Sequence, residues 1–226
     1  ECHDKAVAAF AAGYLDFLMG TVMRYGKTFT SLMIAHTRGV QNALVITGKP
    51  EVRDSWKNEL EQHVNFVDWN FVDLRDVTLS RSDVDFTKKN LFFVSFQYLL
   101  ANAEGVDKTW INNLPIDLLF TDEEHHASKT EKSRAILDSF GDVRAIAMSG
   151  TPIESRRSGR YEEANSFYWS YRDAALHSPD FPSLKIYGMD IALDVAREAA
   201  AGGFVDENAF HINKMFATEN GKFLYE

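Results

Sequence analysis

Five short apolar runs recur along the chain: Leu15-Asp16-Phe17-Leu18-Met19, Ala43-Leu44-Val45-Ile46-Thr47, Leu91-Phe92-Phe93-Val94-Ser95, Ile116-Asp117-Leu118-Leu119-Phe120-Thr121 and Arg144-Ala145-Ile146-Ala147-Met148-Ser149. Short and rich in Val, Ile, Leu and Phe, they read as strands buried on both faces, as in a parallel sheet covered by helices. Between them, Thr28 to Thr37, Val52 to His63 and Ser133 to Ser139 carry apolar residues at mixed spacings of three and four, the helical period. Strand and helix in alternation predict a doubly wound α/β domain, mostly parallel, with helices on both faces. Polar residues follow the runs directly: Gly26-Lys27-Thr28, Lys49, Gln97, Asp122-Glu123 and Gly150-Thr151-Pro152. Ligands of open α/β sheets bind outside the carboxyl ends of the strands, so these residues predict one site along one edge.

Beyond Pro152 the pattern changes. Ser155 to Arg160 is a polar, basic loop, open to reading as a solvated segment or as a nucleic-acid contact through Arg156, Arg157 and Arg160. The aromatic run Phe167-Tyr168-Trp169-Ser170-Tyr171 reads as an aromatic helix packed in the core. A Pro-punctuated turn, Ser178 to Pro182, precedes a strand-like Leu184 to Ile191 and a helical Ala192 to Ala201 closed by Gly202-Gly203. A boundary near residue 153 is expected, with residues 1–152 as the main domain and 153–226 as an α/β extension packed on the same core.

Composition narrows the classes. The chain is 45% apolar and 25% charged, which excludes a disordered protein, and its net charge of -9 excludes a broad basic field, so any nucleic-acid contact must be local. A single cysteine, Cys2, rules out a disulfide framework or a cysteine-built zinc site and fits a cytoplasmic setting. The longest apolar stretch, Ala6 to Leu15, ends at Asp16, far short of the roughly 20 residues of a membrane span. The first residue is Glu1, not Met, and the chain is expected to be a piece of something larger.

Two constellations carry chemistry. Thr21-Val22-Met23-Arg24-Tyr25-Gly26-Lys27-Thr28 lies between an expected strand and an expected helix, the setting of a phosphate-binding loop. Backbone N–H groups and the helix N-terminus would cradle phosphate, Lys27 would neutralise the outer phosphates and the Thr28 hydroxyl would ligate Mg²⁺. Thr21 stands where a strict motif has Gly, and Arg24 stands where many such loops have Gly. The second constellation is Leu118-Leu119-Phe120-Thr121-Asp122-Glu123-Glu124-His125-His126. Two adjacent acids at a strand end place Asp122 to hold Mg²⁺ through water and Glu123 to orient or deprotonate the attacking water. Zinc on His125 and His126 is disfavoured, because neighbouring histidines diverge and no third ligand lies at suitable spacing.

Lys27-Thr28 and Asp122-Glu123, in this order, resemble the first motor domain of a superfamily 2 helicase or translocase of the DExH-box type, with a RecA-like fold. In that resemblance Thr21 to Thr28 is motif I and Asp122-Glu123-Glu124-His125 is the DExH box. Ala43 to Pro50, followed by Trp56 and Glu59-Leu60, resembles motif Ia. Phe93 to Leu99 resembles the strand and turn that touch the nucleic-acid backbone, and Ser149-Gly150-Thr151-Pro152 resembles the coupling motif III. The tail is similar to the restriction-enzyme branch, the motor subunits of type I and type III systems and their phage relatives.

The resemblance implies ATP and Mg²⁺ as cofactors, with Thr21, Arg24, Tyr25, Gly26, Lys27 and Thr28 around the nucleotide and His3 where relatives carry an adenine-reading Gln. It implies Asp122 and Glu123 in catalysis with Lys27, and Thr28 and Asp122 at the metal. His125, Ser149 and Thr151 would serve coupling, and Lys49 and Gln97 would contact nucleic acid, expected to be DNA. It further implies a second RecA-like domain supplying an arginine finger, restriction-modification subunits as partners, no membrane, and weak turnover by this piece alone. A viral DNA-packaging type of ATPase and a degenerate nucleotide-binding scaffold are the alternatives.

Overall fold

The computed structural model describes residues 1–101, 108–122 and 131–177, together with the backbone of 218–219 and 222–223. All five expected strands form: β1 (Asp16–Thr21), β2 (Asn42–Thr47), β4 (Lys89–Ser95), β5 (Leu118–Asp122) and β6 (Arg144–Ser149). Two more join them, β3 (Trp69–Asp73) and β7 (Ser166–Trp169), in one sheet of order β3-β4-β2-β5-β6-β1-β7. Every pairing in this sheet is parallel. The interior strands are buried almost throughout, β2 at all six positions, which is why they stand out as continuous apolar runs.

Helices cover both faces. On one side α1 (Cys2–Ala11), α2 (Lys27–Thr37) and α3 (Arg53–Gln62) lay Ala6, Phe10, Leu32, Ala35, Trp56 and Leu60 over Phe17, Met19, Val45, Phe93, Phe120 and Ile146. The neighbouring strand positions, Leu44, Ile46, Phe92, Val94 and Leu119, face the other way. They pack beneath residues of α4 (Phe96–Leu100) and α5 (Glu131–Asp138). This alternation is the pleat of each strand reporting two cores.

The aromatic run is not a helix but strand β7. Ser166 to Trp169 pairs in register with Leu18 to Thr21, so the edge of β1 supplies the backbone partners that a four-residue helix could not supply for itself. Its side chains divide between the faces: Phe167 joins the cluster beneath α1 and α2, and Tyr168 the small opposite cluster of Leu18, Ala147 and Tyr161. Strand β3 escapes the apolar pattern because Asn70 and Asp73 interrupt it and an edge strand need bury only part of its surface. The basic loop is partly ordered as α6 (Ile153–Arg157). The Arg156 guanidinium stacks 4.6 Å from the Tyr168 ring centre, and Arg160 pairs with Asp16 at 2.6 Å. A further helix, α7 (Tyr171–His177), follows β7. Residues 1–182 form one compact unit and 183–226 another, the latter containing an antiparallel pair, β8 (Thr218–Glu219) with β9 (Lys222–Phe223). The expected strand at 184–191 and helix at 192–201 lie outside the described residues.

Candidate functional site

Strand β1 ends at Thr21 and the chain turns through Val22 to Gly26 before entering α2. Gly26 caps that helix in the left-handed region at φ +89°, a conformation that strains an L side chain. Arg24, also left-handed at φ +66°, is the non-glycine residue that adopts such a φ among the described residues. Two anchors fix the loop from below. The Val22 N–H donates to the Trp169 carbonyl at 3.1 Å, and the Tyr25 ring rests 5.9 Å from both Phe167 and Trp169. Burial pushes the Cys2 thiol up to about 12, against a lowering hydrogen bond with Tyr25. Burial likewise raises the Tyr25 hydroxyl, with Cys2 adding to the shift. The start of α1 is thus fastened to the loop through the Cys2–Tyr25 contact.

Lys27 folds back over the loop, its Nζ donating to the carbonyls of Thr21 at 2.9 Å and Val22 at 3.1 Å. The Thr21 hydroxyl beside it is buried with no hydrogen-bond partner. The first N–H groups of α2 have no partners within the helix, and a cation and unmatched donors at the end of an 11-residue helix suit a phosphate chain. Thr28 follows in the first turn, half-buried.

Asp122 closes β5, half-buried, level with Thr47 on β2 and Met148 on β6. Only β6 separates β5 from β1, so at the usual strand spacing Asp122 lies about 10 Å across the sheet from Met19, two residues before β1 ends, on the same edge. Ser149 ends the intervening strand level with Gly20, and its Oγ accepts the Thr151 N–H at 3.2 Å, which bends the chain sharply after β6. Ser149 is buried and Thr151 exposed. Glu123 and His125 lie outside the described residues.

Gly20 serves packing. A Cβ there would stand 2.7 Å from Tyr168 and 2.8 Å from Pro152, so the bare backbone is what lets β7 and the Ser149–Pro152 turn close against β1.

Lys49 and Gln97 are brought together on the neighbouring strand ends. The Thr47 Oγ accepts the Lys49 N–H at 2.9 Å, and Gln97 Nε2 donates to the Gly48 carbonyl at 2.6 Å. Both side chains are exposed. His3 lies in the first turn of α1, next to Cys2. Its Nε2 meets the Thr37 hydroxyl at 2.9 Å and its Nδ1 meets Asp4 at 2.9 Å, and Thr37 ends α2 about 15 Å along the axis from Lys27.

Sequence reasoning missed a third feature of this edge. At the end of β3, Asp73 accepts from Arg75 at 2.9 and 2.8 Å, from the Arg75 N–H at 3.1 Å and from Arg53 at 2.7 Å. The signal available was Asp73-Leu74-Arg75-Asp76, alternating charge after an apolar pair. Among the described residues no three His, Cys, Asp or Glu side chains gather to hold a metal by themselves. A magnesium ion at this edge would rest on Asp122 and Thr28 together with substrate oxygens, as that ion commonly does. A cavity of about 320 Å³, lined by Leu15, Asp16, Asp142 and Arg160 and reaching along the sheet to Ala147 and Thr121, contains none of these site residues.

A parallel sheet of this order, with a lysine-bearing loop after β1 and an acid closing β5, defines a RecA-like motor domain of superfamily 2. The particular family is given by residues 12–154, which match the type III restriction enzyme res subunit; the chain belongs to that family. It is 25% identical over 236 aligned positions to a Mycoplasma pneumoniae protein named as the C-terminus of the type II restriction enzyme and methyltransferase RM.MpnORF110P, covering 78% of this chain and 32% of that protein. The chain therefore spans about a third of that relative's length. It is also similar to the Sulfolobus solfataricus SWI2/SNF2 ATPase core solved in complex with dsDNA, at 18% identity and a TM-score of 0.49, over 68% of this chain and 32% of the other.

Proposed function

We propose that this chain is the ATP-binding half of a DNA translocase or helicase of a restriction system, hydrolysing ATP with Mg²⁺ when a second motor domain closes on it. The observation that carries the reading is the common edge: the Lys27 amine on the carbonyls of Thr21 and Val22, where β1 gives way to the loop, and Asp122 two strands away, closing β5 level with Met19 of β1. On substrate binding Lys27 would exchange these two carbonyls for phosphate oxygens, while the N–H groups opening α2 hold the remaining charge. Asp122 and Thr28 would hold Mg²⁺, which neutralises the charge developing between the outer phosphates. Glu123 would orient the attacking water and accept its proton. His125, Ser149 and Thr151 would relay the state of that site to the strand-binding loops, and Lys49, on the loop that Gln97 holds, would face the DNA backbone. An arginine from a second domain is commonly worth a factor of about 10³ to 10⁵, so this chain alone should turn ATP over slowly.

The family assignment and the Ser149–Pro152 turn favour this reading over a viral DNA-packaging ATPase. ATP turnover by the full-length protein, with and without duplex DNA, is the test. Wild type should be stimulated by DNA, Lys27→Ala should be inactive, and Glu123→Gln should retain nucleotide without turnover. Turnover unaffected by Lys27→Ala would overturn the reading. Equal, negligible binding of an ATP analogue by wild type and Lys27→Ala would favour a scaffold instead.

A further inference from the structure

The Lys49 loop is clamped on either side of Lys49 by residues that follow two other strands. Gln97, one residue into α4, donates to the Gly48 carbonyl at 2.6 Å, and Arg75 Nη1 reaches the Pro50 carbonyl at 3.4 Å. Arg75 is in turn fixed by Asp73, which binds its Nε and Nη2 and accepts its backbone N–H. Its guanidinium also stacks 5.0 Å from the Phe93 ring centre. Arg53, at the start of the helix that follows the loop, shares the same carboxylate and stacks 5.5 Å from Phe71. Side-chain exposure is only 19% for Asp73 and 24% for Arg75, so the group is held, not waving in solvent. Burial opposes charge on Asp73, yet the two guanidiniums keep its carboxyl below the usual range, so it stays an anion. All three guanidinium nitrogens of Arg75 donate to protein acceptors, and the Lys49 side chain between the two clamped carbonyls is exposed.

We propose that Gln97 and the Asp73–Arg75 pair are positioning residues that hold the 48–50 loop so that Lys49 meets a DNA phosphate, and that neither Gln97 nor Arg75 makes that contact itself. This rests on the reading of Lys49 as a phosphate contact. The test measures binding of a short DNA duplex to the full chain over a range of salt, for wild type, Lys49→Ala, Gln97→Ala, Arg75→Ala, and the last two combined with Lys49→Ala. Losing one phosphate contact lowers the slope of log K against log salt by about 0.9.

Lys49→Ala should lose that amount. Gln97→Ala should lose most of it too, although it removes no charge, and neither clamp variant should lower the slope further once Lys49 is gone. Arg75→Lys, which keeps the charge but not the fork, should behave like Arg75→Ala. A further fall of about 0.9 in the Arg75 and Lys49 double variant would show direct contact by Arg75 and overturn the proposal. So would wild-type slopes in both clamp variants alongside a loss in Lys49→Ala. An unchanged slope in Lys49→Ala would instead sink the phosphate-contact reading. Amide exchange across residues 48–52 then judges the clamp separately: Gln97→Ala should speed it several-fold, and an unaltered rate would refute the clamp.

Discussion

The two edges of the sheet support the two working loops by opposite means. At one edge β7 carries the phosphate loop on aromatic rings and a single backbone hydrogen bond, with Tyr25 against Phe167 and Trp169 and the Val22 N–H on the Trp169 carbonyl. At the other edge β3 carries the Lys49 loop on charge, through Asp73, Arg75 and Arg53. Packing is non-directional and tolerates a lysine that must move from carbonyls to phosphate, whereas bidentate ion pairs fix a geometry. The loop proposed to rearrange with substrate thus sits on rings, and the loop proposed to hold one register sits on guanidiniums.

Breaking the aromatic support should have the largest effect. Phe167→Ala removes a side chain 6% exposed and should cost about 3 kcal/mol in stability by denaturant titration, weakening nucleotide-analogue binding as the loop loses its floor. Gly20→Ala forces a Cβ onto Tyr168 and Pro152 and should cost about 1–3 kcal/mol, with β7 displaced from β1. At the charged edge Asp73→Asn should cost about 1–2 kcal/mol, less than a fully buried pair because its partners keep some water.

The same edge should be sensitive to acid. Asp73 has a folded-state pKa below its ordinary 3.8, so its contribution is complete above that value and vanishes as pH falls through the lower folded value. Wild type should therefore lose stability below about pH 4 relative to Asp73→Asn, as acid titrations followed by circular dichroism would show. The smallest change is expected at Arg24→Gly, which relieves a left-handed L residue and should raise stability by about 1 kcal/mol, less what glycine loses in unfolded-state entropy.

The sheet's interior was legible because strands covered on both sides must be apolar along their middles, and β1, β2, β4, β5 and β6 are, with polar residues only at their ends. Its edges were not. A half-covered strand such as β3 needs no continuous apolar run, and β7 takes its conformation from pairing with β1, which no local pattern records. The site followed the same division. Lys27, Thr28, Asp122, Lys49 and Gln97 follow the predicted strands, Ser149 closes one, and all fall on one edge. What holds the loops, Tyr25 on the rings of β7 and Arg75 on Asp73, depends on contacts between distant segments. Gly20, which no local pattern accounts for, is explained by the approach of Tyr168 and Pro152.

The central claim is that Lys27 and Asp122 serve one magnesium–nucleotide complex, and titration of a fluorescent ATP analogue against the full chain, with Mg²⁺ and with EDTA, tests it most directly. Wild type should bind more tightly with Mg²⁺, Asp122→Asn should lose that difference while retaining metal-free binding, and Lys27→Ala should bind weakly in both conditions. Magnesium-dependent binding that survives Asp122→Asn intact, or binding indifferent to Lys27, would contradict it.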